Sequence, residues 1–158
     1  MIIEREELQT IIPHKGKMLL LSRVIEYNIT DHSIRAEYDI TENCIFYDPV
    51  IKGVPAWIGF ECMAQAISAL SGIGSREKGE KPKIGFILSI PSMRMDIPMF
   101  KSGSSVKVHV KETDCTDMIY SFDGAAFLED RKVMEGKLMV IEVSDEKFNE
   151  MTGGAFLK

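Results

Sequence analysis

Cysteine is scarce in this chain: Cys44, Cys62 and Cys115 are odd in number, widely spaced and free of any CxxC pair. That pattern excludes a disulfide framework and gives no reason to expect a metal, and it points to a reducing cytoplasm as the compartment. Positive charge is also short, with 19 Lys and Arg against 24 Asp and Glu for a net charge of −5. Proteins that grip nucleic acid or anionic membranes usually carry a basic excess, so neither partner is expected. The opening MIIEREELQ is acidic and lacks a long apolar region, so no signal peptide is expected. Histidine is as scarce as cysteine, with only His14, His32 and His109. Hydrophobic residues at 45% and charged residues at 27% exclude a disordered or fibrous chain. A chain of 158 residues buries about 70% of its extended surface on folding, so one domain over residues 1–158 needs no staple.

Against these absences stands one long apolar stretch, VPAWIGFECMAQAISALSGI, from Val54 to Ile73. It matches a membrane span in length, about 20 residues, but carries Glu61 and Gln65 near its centre. A carboxylate there costs about 2.5–3.5 kcal/mol on insertion, and the flanks lack the Lys/Arg asymmetry of a spanning segment. The stretch therefore reads as a helix over about 55–73, apolar nearly all round and enclosed by other structure. Pro55 suits its first turn, and Gly72 with Gly74 its end.

Around this helix the pattern is mostly that of strands. Residues 4–12 read as a short amphipathic helix closed by Pro13, and 18–27 as a strand. Ile34, Ala36, Tyr38 and Ile40 alternate with polar neighbours, which is the signature of a half-buried strand. A charged loop over 75–83 precedes strands at 84–90 and 105–112. A long hairpin over 118–128 and 132–143 turns at Glu129-Asp130, and a short helix from Ser144 ends at Gly153-Gly154. Strands in runs, without βαβ alternation, predict an α+β class. One apolar helix among about six long, mainly antiparallel strands implies a curved sheet wrapped around it, the hotdog architecture. The edge strand that such a sheet leaves open is best covered across a two-fold dimer.

Glu61, Gln65, Ser68 and Gly72 lie at i, i+4, i+7 and i+11, a polar stripe on the apolar helix. Buried ionisable groups are candidate sites, so Glu61 reads as a general acid or base with a raised pKa. The alternative is that Gln65 and Glu61 satisfy backbone groups of neighbouring strands or face a dimer seam. Free N–H groups at the helix start, Ala56 and Trp57, would polarise a carbonyl oxygen.

Two segments carry a family resemblance. Ile12-Pro13-His14-Lys15-Gly16-Lys17-Met18-Leu19-Leu20-Leu21-Ser22-Arg23-Val24 resembles the opening motif of β-hydroxyacyl-acyl-carrier-protein dehydratases. Gly53 to Gln65 resembles the helix motif of the same family, and its Pro-Ala-Trp variant looks most like the dehydratase-related branch of aryl-polyene-type pathways. The resemblance runs over roughly residues 7–143. It implies a hotdog dimer acting on a 3-hydroxyacyl thioester carried on a phosphopantetheine arm, with no further cofactor. It implies Glu61 as the catalytic carboxylate, Gln65 as the Gln one turn on, and Ala56 as the residue whose amide holds the thioester carbonyl.

The family pairs that Glu with a His from the other subunit, in a loop before the helix. This chain has Tyr47-Asp48-Pro49 there, with Tyr47 in the His position. An unperturbed phenol, with pKa near 10, is a poor base at neutral pH, and Asp48 is the alternative group in that loop. His14 belongs to the opening motif and is expected to be structural, His32 sits in a turn, and His109 points outward. Three functions follow: a dehydratase, a hotdog thioesterase using Glu61 alone, or a non-catalytic partner of a His-bearing homologue. The expected site is Glu61, Tyr47 and Gln65 for chemistry, with Ala56, Trp57, Asp48 and Ser68 binding substrate. An acyl carrier protein or acyl-CoA is the expected partner, met by basic residues such as Lys15, Lys17 and Arg23, by Arg76, Lys78, Lys81 and Lys83, or by Arg94 and Lys101. Besides a homodimer, a heterodimer with a homologue or a higher oligomer fits. Met63, Met93, Met95 and Met99 suit either an adaptable acyl tunnel or core filling.

Overall fold

A computed structural model describes residues 2–153. In chain order the elements are β1 (Ile3–Glu4), α1 (Arg5–Ile11), β2 (Arg23–Asn28), β3 (Ser33–Asp39), β4 (Gly53–Pro55) and α2 (Ile58–Glu77). There follow β5 (Ile84–Met95), β6 (Met99–Lys101), β7 (Ser105–Thr116), β8 (Ile119–Leu128), β9 (Arg131–Val143) and α3 (Asp145–Thr152). Seven strands form one antiparallel sheet in the order β1-β2-β3-β7-β8-β9-β5, and β4 pairs with β6 apart from it. The long helix α2 packs against β3, β7 and β8, which gives the expected α+β hotdog layout.

The alternating segment behaves as its period demands. Ile34, Ala36, Tyr38 and Ile40 are buried, and β3 sits between β2 and β7. The β8–β9 hairpin turns where expected, with Glu129 in the left-handed region at φ 54°. Ser144 caps α3 by accepting the Lys147 N–H at 3.2 Å, and Gly153 ends it at φ 62°. Gly154 lies outside the described residues.

Several boundaries differ from expectation, each for a physical reason. Pro55 is not in the helix but closes β4 opposite Met99, and α2 starts three residues later with Trp57 as its cap. Gly72 and Gly74 do not end the helix, which continues to Glu77 and takes in the start of the charged loop. Helix α2 contains Gly59, Gly72 and Gly74, each costing about 1 kcal/mol against Ala. Buried Ile58, Phe60, Met63, Ile67, Leu70 and Ile73 each return roughly 1.5–3 kcal/mol, so packing outweighs propensity.

Strand β2 begins at Arg23 rather than near Met18, because Gly16–Met18 is a 3-10 turn and Leu19, Leu20 and Leu21 are all buried. Three consecutive buried residues cannot alternate across a sheet. Strand β5 runs through Pro91 to Met95, since a bulge opens between Ser89 and Ser92. Proline lacks the ladder donor, and a bulge on an edge strand does not require one. Strand β7 likewise extends four residues beyond Glu112 through an irregularity near Thr113.

Candidate active site

The polar stripe on α2 divides in two. Glu61, Ala64, Ser68 and Ser71 are half-buried and line a cavity of about 510 Å³. Its opposite walls are the segment after α1, including Pro13 and His14, and the start of β5 with Val140 and Glu142 of β9. That volume is in the range of small-molecule sites. Gln65 and Gly72 turn away from it into the core.

Gln65 is 0% exposed and serves the opening segment. Its Nε2 donates to the Met18 carbonyl at 2.8 Å, and its Oε1 accepts the Leu20 N–H at 2.8 Å. The other Nε2 hydrogen reaches Glu61 Oε1 at 3.3 Å. Gln65 therefore satisfies backbone groups, the alternative weighed from sequence, and also fixes the orientation of Glu61.

Glu61 sits in the first turn of α2, at the positive end of the helix macrodipole. It is not enclosed: its side chain is 42% exposed. His14 Nε2 lies 3.6 Å from Glu61 Oε1, with the His14 side chain 29% exposed. His14 Nδ1 is buried and has no hydrogen-bond partner among the described residues. The arrangement places a carboxylate and an imidazole on one cavity, the equipment of general acid–base chemistry.

The other expected site residues are elsewhere. Tyr47 and Asp48 do not line the cavity of their own chain, where the resemblance, which puts that loop at the other subunit's site, did not place them. The Tyr47 N–H donates to the Cys44 carbonyl at 3.0 Å, and its ring packs on the core. Asp48 Oδ1 accepts the Val50 N–H at 2.9 Å, while its backbone pairs with Gly53, so it shapes its own loop. The Ala56 N–H is committed to the Pro98 carbonyl at 3.0 Å. It is therefore not the free helix-start donor expected from sequence. Trp57 is 58% exposed and its ring stands tilted 6.5 Å from that of Phe46, outside the cavity. Of the seven expected site residues, Glu61 and Ser68 share the cavity, and Gln65 reaches it through Glu61.

The rest of the wall is informative too. Burial raises the Glu142 carboxyl above its ordinary range, against the opposing pull of the Ser71 hydroxyl and Lys83. Cys62, beside Glu61 in sequence, is fully buried, and burial pushes its thiol well up, which removes it as a nucleophile. None of Met63, Met93, Met95 and Met99 lines the cavity, and Met63 is core. Of the basic residues, Arg23 pairs with Glu37 and Asp39, Arg76 with Glu7, and Arg94 with Asp96 and Glu135.

His14 is the residue that sequence reasoning set aside. The available signal was the unalternated Leu19-Leu20-Leu21 run beside a buried glutamine. Together they imply that the opening segment crosses the face of α2 and brings His14 with it.

Comparisons with known proteins agree with this architecture. The 3-hydroxyacyl-(acyl-carrier-protein) dehydratase FabZ of a Nitratiruptor species is 27% identical over 143 residues, covering 87% of this chain and 95% of that protein. The FabZ of Wolinella succinogenes is 25% identical over 153 residues, covering 93% and 100%. Among solved structures, the dehydratase heterocomplex ApeI:P from Xenorhabdus doucetiae has a chain that superposes with TM-score 0.83 at 22% identity, covering 92% of this chain and 96% of that one. A hypothetical thioesterase with coenzyme A from Streptococcus pneumoniae shares the fold at TM-score 0.58 and 10% identity, covering 77% and 84%. The profile of the ApeP-like group, described as ApeP dehydratase, matches residues 6–152, from α1 through Glu61 and the cavity to the end of α3: the chain belongs to the ApeP-like dehydratase family.

Proposed function

We propose that this protein removes water from 3-hydroxyacyl thioesters, with Glu61 as a catalytic carboxylate. The observation that carries the reading is the placement of Glu61 in the first turn of α2 on a cavity of about 510 Å³, with Ile67, Ile84, Phe86 and Ile87 among its walls. A carboxylate at one end of an apolar cleft suits a substrate with a reactive head and a hydrocarbon tail. The family and the FabZ relatives support the same chemistry. The acyl group is carried on the phosphopantetheine arm of an acyl carrier protein or on coenzyme A, and the chain needs no other cofactor.

The assembly that fits is a dimer formed along β5, with a second copy or with a homologue. The outer edge of β5 has no strand beside it among the described residues, and Phe86, Ile87, Leu88, Met93 and Met95 are exposed along it. The neighbour from Xenorhabdus doucetiae is itself a heterocomplex. No helix among the described residues is long and apolar enough to cross a membrane. A cytoplasmic location fits the three unpaired cysteines.

The test is to incubate the chain, alone and with a His-bearing homologue, with a 3-hydroxyacyl carrier-protein thioester and follow the acyl mass. Loss of one water, abolished by Glu61→Gln, is the expected result. Turnover unchanged in Glu61→Gln overturns the role of Glu61, and thiol release without water loss selects the thioesterase reading.

A further inference from the structure

We infer that His14 is the imidazole that works with Glu61, so that one subunit carries both halves of the acid–base pair. The inference rests on the dehydratase reading above and deepens it. The chain has Tyr47 where the family has its histidine, so that loop brings no imidazole to Glu61 from either subunit. His14 lines the cavity, and its Nε2 faces Glu61 Oε1 at 3.6 Å. The gap is just beyond a direct hydrogen bond and too short to admit an oxygen between the two atoms, so a substrate hydroxyl would meet both groups from the side.

The segment bearing His14 is held for this by side chains rather than by a strand. Lys15 Nζ donates to the carbonyls of Gln9 and Ile12, tying down the backbone on one side of His14. On the other side, Arg5 donates to the carbonyls of Gly16, Leu19 and Leu21, and Gln65 brackets Met18 and Leu20. Gln65 also touches Glu61, so one amide links the opening segment to the carboxylate. A histidine kept only for scaffolding would be expected to use its buried nitrogen. Here Nδ1 is buried without a partner among the described residues, while Nε2 is turned to the carboxylate. The other charged groups on the cavity wall are Lys15, Lys83 and Glu142.

The step balances within the pair. One member takes the C2 proton, the C–H electron pair becomes the C2=C3 double bond, and the C3–O bond breaks. The other member protonates the departing oxygen, so water and a 2-enoyl thioester leave. The pair enters either as imidazolium with carboxylate or as imidazole with carboxylic acid, and leaves in the opposite form. One proton moved between Nε2 and Oε1 resets it, with no further reactant.

The experiment uses the full chain, alone and with a His-bearing homologue, and compares His14→Gln, His14→Asn, Glu61→Gln and the His14→Gln/Glu61→Gln double variant. Each single change is expected to lower kcat about 100-fold or more, the usual contribution of a placed acid or base. The double variant is expected to be no slower than the slower single, as for residues acting as a unit. Added imidazole restoring turnover to a His14→Ala variant, but not to Glu61→Gln, would support a chemical role, since a scaffolding defect would not respond. If Glu61→Gln abolishes water loss while both His14 variants stay within about threefold of the parent, the dehydratase reading stands and His14 loses its role. Multiplicative losses in the double variant overturn the pairing. Thiol release instead of water loss by the parent chain overturns the dehydratase reading and this inference with it.

Discussion

Gln65 uses its whole amide on three partners, two of them backbone groups of the opening segment and the third Glu61. Gln65→Leu keeps the volume but leaves the Leu20 N–H and the Met18 carbonyl without their partner. Each such group costs about 1–3 kcal/mol, so a loss of about 2–6 kcal/mol is expected. At this chain length that is a fall in Tm of about 4–24 °C, read by calorimetry or circular dichroism. Unchanged Tm would mean that other groups or water take over the two partners. Sequence placed Glu61, Gln65 and Ser68 on one stripe because their azimuths are close. At 100° per residue, Gln65 is about 40° to one side of Glu61 and Ser68 about 20° to the other. That difference decides which side chain meets the core and which meets the cavity, and only the neighbouring elements reveal it.

The same dependence on neighbours governs α2 as an element. Its apolar content identified it, but its ends did not follow from Pro55, Gly72 and Gly74, which have other tasks. A Cβ on Gly72 would stand 2.5 Å from the Ile11 carbonyl oxygen, so this glycine exists to let α1 approach α2. A Cβ on Gly74 would meet only Ile29 Cδ1, at 3.9 Å, an ordinary contact. The two positions therefore respond oppositely to one substitution. Gly72→Ala is expected to destabilise by about 1–3 kcal/mol through overpacking against backbone. Gly74→Ala is expected to stabilise by about 0.5–1 kcal/mol, through helix propensity and a less flexible unfolded chain. Urea midpoints for the pair check this, and a shift of the same sign in both would refute the packing account of Gly72. Glycine marks a helix end only where the backbone turns left-handed, as Gly79 does at φ 68° after Glu77.

At the scale of the molecule, β5 is the element least understandable from one chain. Its first ten residues are as apolar as those of a buried strand. In the fold they lie on the outer edge of the sheet, with Leu88 51% and Met93 53% exposed. A long, apolar, unpaired edge is a template for another strand, and natural proteins either blunt it with charge or cover it. No Lys, Arg, Asp or Glu stands between Ile84 and Met93, so charge does not blunt this edge, and Pro91 with the irregularities between Ile87 and Ser92 is its one interruption. Phe86 and Ile87 also wall the cavity that holds Glu61 and His14, so a chain seated on β5 would close that cavity as it formed. Assembly and activity should then be lost together. Leu88→Lys combined with Met93→Lys, neither residue on the cavity wall, places two charges on the edge where a partner strand would lie. The parent protein is expected to sediment as a dimer at micromolar concentration, alone or with its homologue. The double variant should sediment as a monomer, with an unchanged far-ultraviolet spectrum and with water-loss activity reduced. Monomeric sedimentation of the parent under both conditions would show that the edge is not a dimer seam, and a variant that still dimerises would show that another surface makes the dimer.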